Sequence, residues 1–375
     1  MVPNLRFREF NEQLVYTSFG HVMKLYRGSS PRPIINYVTT DKSGLNWIKI
    51  GDMPSTGNRV FFCKERINKE GSKKSRAVYK GDIILSNSMS FGKPYILEID
   101  GFIHDGWFVI RDYQNYIDKT YLCQLLSSDV VQKQYKSTAA GGVVKNISSD
   151  LVNSVKFHLP SIMEQRKIAR FLELIDQKIE VQIKIIDDYN SLKMEIYNCM
   201  FKENYADYKL KQLAYIVKGD QINNDQLLSN GSYYMMNGGA SPSGYLDSYN
   251  VSENTISISE GGNSCGYVQF NSSPFWSGGH CYTIQNVNSA LIENKYLYHY
   301  LKYKEKEIMN LRIGTGLPNI QKKDLENFTI LVPSLLIQRK NLALFEMLDE
   351  KISILNEELA NLQKQKKYLL CNMFI

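Results

Sequence analysis

The chain is poor in the residues that carry out chemistry, and the few it has are dispersed. Its six cysteines (Cys63, Cys123, Cys199, Cys265, Cys281, Cys371) form no C-x-x-C pair. None of its five histidines (His21, His104, His158, His280, His299) stands at zinc-ligand spacing. A disulfide framework and a structural zinc are therefore not expected, and a reducing compartment is. No apolar run approaches the roughly 20 residues needed to span a bilayer. The opening, MVPNLRFREFNEQ, is polar and mixed in charge, unlike a signal peptide. The expectation is a cytoplasmic protein with no membrane partner. No G-x-x-x-x-G-K-[ST], G-x-S-x-G or H-E-x-x-H occurs, nor the Asp/Asn-Pro-Pro-aromatic signature of amino-methyltransferases. Residues 261–266 are glycine-rich, but no helical pattern follows, so they read as a turn between strands. Asp82, Glu98 and Asp100 near Lys93 lack the D-x(n)-E-x-K order of nuclease carboxylates. No catalytic residue, metal site or cofactor is assigned to this chain.

What the sequence has instead is a repeat. LPSIMEQRKIARFLELIDQKIE begins at Leu159 and VPSLLIQRKNLALFEMLDEKIS at Val332, an offset of 173 that still holds where Met200-Phe201 recurs as Met373-Phe374. A segment repeated at half-chain spacing implies a duplicated architecture. The 375 residues allow two or three domains. A hydrophobic content of 43% and a charged content of 22% are those of an ordinary globular protein, and the net charge of +7 suits a phosphate-bearing partner without singling one out.

Ahead of each repeat lies a strand-rich region. In the first, β-favouring runs at 46–50, 60–62, 82–85, 95–99 and 107–110 alternate with Gly, Asp and Ser, and a helical spacing over 116–136 follows. The basic stretch 63–82 reads as a loop or hairpin. A glycine-rich turn at 139–142 leads to Asn146-Ile147 and a short strand at 155–159. In the second region, strands are expected at 233–236, 255–259, 266–270 and 282–285, with a helical run at 294–311. Asn319-Ile320 match Asn146-Ile147 at 173, whereas Gly219 matches Gly28 at 191. The difference means about 18 extra residues in the first copy, and 63–82 is the place expected for them. The division is 1–158, 159–203, 204–331 and 332–375: domain, helix, domain, helix.

Pro and Ser open each long helix, and no Gly or further Pro interrupts the first up to Phe201. The second carries a heptad ladder of Leu348, Ile352, Leu355, Leu359, Leu362, Lys366 and Leu369; the first, by the offset, Ile175, Ile179, Gln182, Ile186, Tyr189, Lys193 and Ile196. Steps of four and three residues are the period of a coiled coil, in which seam lysines fix register. The connectivity favours antiparallel pairing. About 27 residues of heptad span roughly 40 Å, close to the roughly 34–36 Å turn of B-DNA. The fold class is therefore α+β, with two mixed α/β domains, a pair of long antiparallel coiled-coil helices and a pseudo-two-fold internal repeat.

This layout resembles the specificity subunit of type I restriction-modification systems. The resemblance rests on Pro160 with Glu164-Gln165-Arg166-Lys167-Ile168-Ala169, and on Ile175-Asp176-Gln177-Lys178-Ile179. The second copy departs from it at Ile337 and at Asn341-Leu342. The opening VPNLRFREF, the Gly28-Ser29-Ser30-Pro31 entry and 47–52 are also similar to the family. The resemblance implies two target-recognition domains, each reading half of a bipartite, asymmetric site in double-stranded DNA. It implies helices that set the gap and dock two methyltransferase subunits, with two motor-nuclease subunits where the system cleaves. S-adenosylmethionine, ATP and Mg would then belong to those partners, in a prokaryotic cytoplasm. The alternatives are a methylation-only or stand-alone DNA-binding variant, or an enzyme with unrecognised motifs.

Readout needs side chains on base edges, with Lys and Arg on phosphates. For phosphate, the first region offers Arg59, Lys64, Arg66, Lys73, Lys74, Arg76 and Lys80, and the second Lys322 and Lys323. For bases, the candidates are Ser86, Asn87, Lys93, Lys145 and Asn146, then Asn237, Ser241, Ser243, Tyr245, Asn263 and Ser264. The helix and docking set is Gln165, Arg166, Ile175, Ile179 and Ile186, with Gln338, Arg339, Leu348, Ile352, Leu355, Leu359 and Leu362.

Overall fold

The computed structural model describes every residue except Met1, Ser55, 88–91, 140–145, 202–204, Thr315 and Leu317. The expected glycine-rich turn at 139–142 therefore lies largely outside the described residues. Two compact units emerge, and they do not follow the sequential division. One comprises Met1–Ile185 with Asn356–Ile375, the other Ile186–Leu355. Each thus owns one domain and half of each long helix, Ile162–Met200 and Leu335–Asn372.

In the first unit, a central sheet joins strands Lys24–Arg27, Trp107–Arg111, Ile83–Ser86, Pro94–Leu97 and Arg59–Val60, in that order. Successive side chains of a strand point to opposite faces. Ile83, Leu85, Phe108 and Ile110 accordingly enter one core with Leu122, Leu126, Leu172 and Phe374. Ile84, Leu97, Trp107 and Val109 enter a second core with Ile48 and Val60. Burial on both faces explains why these strands read as nearly continuous apolar runs.

The second sheet of this unit corrects the expected loop or hairpin at 63–82. That stretch forms strand Glu65–Ile67, helix Lys69–Lys73 and strand Arg76–Val78, and both strands belong to a five-stranded sheet with Val38–Thr39, Leu45–Ile48 and Gly101–Ile103. The helix is capped by Asn68, whose side chain accepts from Gly71 N at 2.8 Å. The stretch is strongly basic, but Ile67 and Val78 are buried and anchor two short strands, which are no hairpin because Leu45–Ile48 and Gly101–Ile103 lie between them.

The second unit repeats the plan with fewer strands: Tyr215–Lys218, Cys281–Gln285, Thr255–Ser259 and Val268–Asn271 form one sheet, and Gly244–Leu246, Tyr233–Met236 and Trp276–Ser277 the other. Ile256 and Ile258 face its main core. The alternate positions are polar, and Ser257 is satisfied by Asn271 Nδ2 at 3.0 Å. The single helices expected at 116–136 and 294–311 are each broken in two, at Ser128 and at Lys304.

The ends of the long helices explain the recurring Met-Phe. Phe374 packs on Tyr121 at 5.4 Å in the first unit; Phe201 packs on Tyr296 at 5.5 Å in the second. Within the first unit Lys366 pairs with Asp176, and Gln182 donates to Glu358 at 3.0 Å. Rising numbers on one helix meet falling numbers on the other, so the pairing is antiparallel. Within the second unit Lys193 pairs with Asp349, the repeat-mate of the first pair at offset 173. The seam positions are half-buried or buried while their flanks are largely exposed, as a coiled-coil seam requires.

Candidate nucleic-acid interface

In the first unit, strand Lys24–Arg27 ends against the loop before Trp107. A Cβ on Gly28 would lie 2.0 Å from His104 O, so only glycine lets the strand end press there; Gly28 N donates to Trp107 O at 2.8 Å. Arg27 Nε thereby reaches Asp105 O at 3.3 Å, and Asn87 Nδ2 reaches the same oxygen at 2.9 Å. Asn87 directly follows Ile83–Ser86 and is only 4% exposed. Its N–H donates to Gly106 O at 3.0 Å, and its carbonyl accepts from Ile147 N at 2.7 Å. Arg27, Asn87, Asn146 and Ser148 so border a cavity of about 370 Å³ walled by Leu25 and Phe108. The Ser30 hydroxyl, 2.7 Å away, holds the Asp105 carboxyl below its ordinary value.

The second unit has its own cavity, of about 380 Å³, bordered by Lys218, Asn237, Glu260, Gly262, His280 and Asn319. Gly219 stands where a Cβ would lie 2.3 Å from Ser277 O. Glu260, 8% exposed, follows Thr255–Ser259. Its Oε1 accepts from Lys218 Nζ at 2.6 Å and from Tyr282 Oη at 3.2 Å. Burial first, and the Glu260 carboxylate second, push the Tyr282 hydroxyl up to about 12, so it remains a donor. Oε2 has no hydrogen-bond partner among the described residues; the imidazole Nδ1 of His280 lies 3.5 Å away. Burying a carboxylate is costly unless it is paired, and here Lys218 supplies the pair.

Of the expected base-reading residues, the structure brings Asn87 and Asn146 together in one cavity and places Asn237 in the other. Ser86 is corrected: it is fully buried, its hydroxyl accepting from Lys93 N at 3.2 Å, and presents no surface to a base. Lys93 lies apart, in a cavity with Gln124, Asp176 and Lys366, its ammonium 5.1 Å from the Tyr95 ring and its pKa depressed by burial. Lys145 lies outside the described residues. Ser241 and Ser243 are exposed in the turn between Tyr233–Met236 and Gly244–Leu246, and Tyr245 is on the latter strand. Asn263 and Ser264 share the turn that contributes Gly262, which does connect two strands.

The basic residues expected on phosphate are exposed, but several already have partners. Arg59 contacts Glu98 at 2.5 Å and Glu173 at 3.1 Å. Lys73 meets Glu70 at 2.8 Å, Lys80 meets Glu98 at 3.8 Å and Lys322 meets Glu326 at 3.7 Å. Arg66 bonds Lys42 O and Gly44 O, Lys74 bonds the Tyr37 hydroxyl at 2.5 Å, and Arg76 bonds Arg27 O at 3.1 Å. Lys64 and Lys323 are exposed. Two of the acidic residues near Lys93 are similarly engaged, Asp82 with Arg111 at 2.8 Å and Glu98 with Arg59.

On the helices, Gln165 and Gln338 are corrected from docking surface to internal struts. Gln165, 1% exposed, donates to Pro160 O at 2.9 Å and Tyr116 O at 3.1 Å and accepts from Asp118 N at 2.9 Å. Gln338, fully buried, makes the same three bonds to Pro333 O, Leu291 O and Glu293 N at 2.8–2.9 Å. Each ties the start of a long helix to the start of its domain's helix, Lys119–Ser127 or Asn294–Tyr303. Arg166 and Arg339 are exposed, the latter bonding Glu293 at 2.8 Å. Ile186, Leu348 and Leu355 are buried, and Ile175, Ile179, Ile352, Leu359 and Leu362 are half-buried along the seam. Glu164 takes a bidentate grip from Arg6 at 2.8 Å, whereas Ile337 in the second copy is partly exposed. Among the described residues no group of His, Cys, Asp and Glu could hold a metal ion, and no helix is long and apolar enough to cross a membrane.

Arg27, Lys218, Glu260 and His280 escaped the sequence reading. The signal was available: Arg27 and Lys218 precede the two matched glycines, and Glu260 stands 173 residues after Asn87.

The model of the type I restriction modification DNA specificity domain matches the chain twice, over residues 20–187 and 202–364. A putative type I specificity subunit from Mycoplasma pneumoniae is 34% identical over 155 residues, 41% of each chain. One from Mycoplasma genitalium is 32% identical over 127 residues, 34% of this chain and 33% of its own. The matched stretches are thus less than half the length of these two relatives. A putative type I restriction enzyme specificity subunit from Methanocaldococcus jannaschii is 24% identical over 97% of this chain and 91% of its own. The crystal structure of a type I restriction-modification S subunit from M. genitalium shares the fold, with a TM-score of 0.64 at 19% identity, covering 100% of this chain and 99% of that one.

Proposed function

The chain belongs to the type I restriction-modification DNA specificity family, and from that premise we propose that it reads a bipartite DNA site, one half by each domain. The observation that carries this is the doubled layout: two family domains, each with a polar cavity at the same end of its central sheet. The long helices set the gap between the half-sites. Their exposed apolar residues, including Leu174, Val181 and Tyr368, and the groove lined by Phe171, Ile175, Leu362 and Leu369 provide a surface for two methyltransferase subunits, since exposed apolar patches mark protein contacts. S-adenosylmethionine chemistry then resides in those partners, and ATP-driven cleavage in motor-nuclease subunits.

The test is of length. Residues 179–185 stand opposite 356–362 in the antiparallel pair. Deleting both heptads shortens the rod by about 10 Å at about 1.5 Å per residue, or about three base pairs at about 3.4 Å each. Methylome sequencing of cells expressing the variant with its methyltransferase should show both half-sites unchanged and the gap about three base pairs shorter. An unchanged gap with altered half-sites would refute the ruler.

A further inference from the structure

The two cavities are repeat-mates in detail. Arg27 corresponds to Lys218 at offset 191, beside the matched Gly28 and Gly219; Asn87 corresponds to Glu260 and Asn146 to Asn319 at 173. The backbone frame is also duplicated. Asn87 N donates to Gly106 O while its carbonyl accepts from Ile147 N; Glu260 N donates to His280 O while its carbonyl accepts from Ile320 N. One scaffold therefore presents a cation, a side chain at the sheet end and an asparagine in each domain. The chemistry diverges at the sheet end, where a neutral amide stands in one copy and a carboxylate in the other.

We infer that this position is specificity-determining: Glu260 accepts a hydrogen bond from an exocyclic amino group, cytosine N4 or adenine N6, at one base pair of the second half-site, and Asn87 occupies the equivalent role in the first. The inference rests on the DNA-reading function proposed above. A carboxylate has capacity for about four hydrogen bonds. Oε1 is taken by Lys218 and Tyr282, which fix the group, whereas Oε2 has none among the described residues. Oε2 is covered from solvent, but the His280 side chain beside it is 60% exposed. It can swing into solvent as a base edge enters. Carboxylates are acceptors only, and in the major groove they match amino donors, whereas an Asn amide matches adenine N6 and N7 together. Lys218 limits the electrostatic cost of bringing Glu260 near phosphates. In the first domain no carboxylate among the described residues pairs with Arg27 at the sheet end, and its guanidinium serves as a donor for guanine O6 and N7.

The experiment uses the full chain, co-expressed with its methyltransferase subunit, selecting from a randomised duplex library at fixed salt. Wild type should enrich a bipartite sequence. Glu260→Gln should relax or switch the preference at one base pair of the second half by roughly ten- to hundredfold, leaving the first half as it was. Asn87→Asp should do the converse. Should Glu260→Gln fail to fold, Lys218→Gln, at a half-exposed side chain, should alter the same base pair. Identical enrichment by wild type and these variants overturns the inference, and so does equal weakening at every position, which would assign Glu260 to packing. A wild-type complex that enriches no sequence overturns the DNA-reading function itself.

Discussion

Replacing Gln165 by Leu distinguishes a strut from a docking contact. The substitution keeps the apolar volume but removes three bonds to main-chain groups: two carbonyls, Tyr116 O and Pro160 O, lose their donor, and Asp118 N loses its acceptor. A buried polar group left unpaired costs about 1–3 kcal/mol. Pro160 O is buried while the other two sites are part-buried and can recruit water. A net loss of about 3 kcal/mol is expected, roughly a hundredfold in the local folding equilibrium. Gln338→Leu should cost about the same in the other unit, since it breaks the same three bonds. Because a protein of two units need not unfold in one step, the readout should be local: urea-dependent hydrogen exchange of the amides in Lys119–Ser127 and Asn294–Tyr303. Each variant should weaken protection in its own unit. A shift under about 1 kcal/mol, accompanied by loss of methyltransferase binding, would refute the strut and restore the docking role.

Other outcomes follow from single sites. Gly28→Ala and Gly219→Ala force a Cβ onto a backbone oxygen, and each should cost about 1–3 kcal/mol and abolish recognition of one half-site, measured by competition with duplexes altered in that half. His299 is buried, shares a hydrogen bond of 2.7 Å between its Nδ1 and the Tyr197 hydroxyl, and has its pKa pushed down to about 3, chiefly by burial and then by Lys193 and Lys295. Asp349 lies 3.9 Å away, but Lys193 is paired with that same carboxylate and offsets its pull. The folded pKa is below the unfolded value of about 6.5, so the neutral ring's contribution is complete above that pH and is lost as pH falls toward 3. The second unit should lose up to about 1.4 kcal/mol per pH unit over that window, and His299→Gln should flatten the slope in an acid titration followed by tyrosine fluorescence.

The architecture was legible because periodicity survives in sequence. Ile175 to Ile196 and Leu348 to Leu369 mark the seam without any knowledge of tertiary contacts, and the constant offset reveals the duplication. The sites were less legible. Ser86 and Asn87 are adjacent and equally polar, yet strand alternation and the end of the ladder bury one hydroxyl and aim the next side chain at a cavity. Gln165 looks like a surface residue in a charged run, and only the approach of Tyr116 and Asp118 from another element turns it inward. Glu260 stayed hidden because its partners, Lys218, Tyr282 and His280, are distant in sequence.

The discontinuity of the first unit bears on the order of events at the ribosome. The second unit is one unbroken segment, Ile186–Leu355, and all its core residues are synthesised before Asn356. The first unit begins at the N-terminus, yet its core includes Met373 and Phe374, its last strand donates His158 N to Ile375 O at 2.8 Å, and Leu5 N donates to Asn372 O at 3.0 Å. Domains usually complete folding in the order of their synthesis, N-terminal first. Here the domain translated first is completed last, once residues 356–375 have joined it, and a chain stopped before Met373 would leave its first domain open while its second is whole.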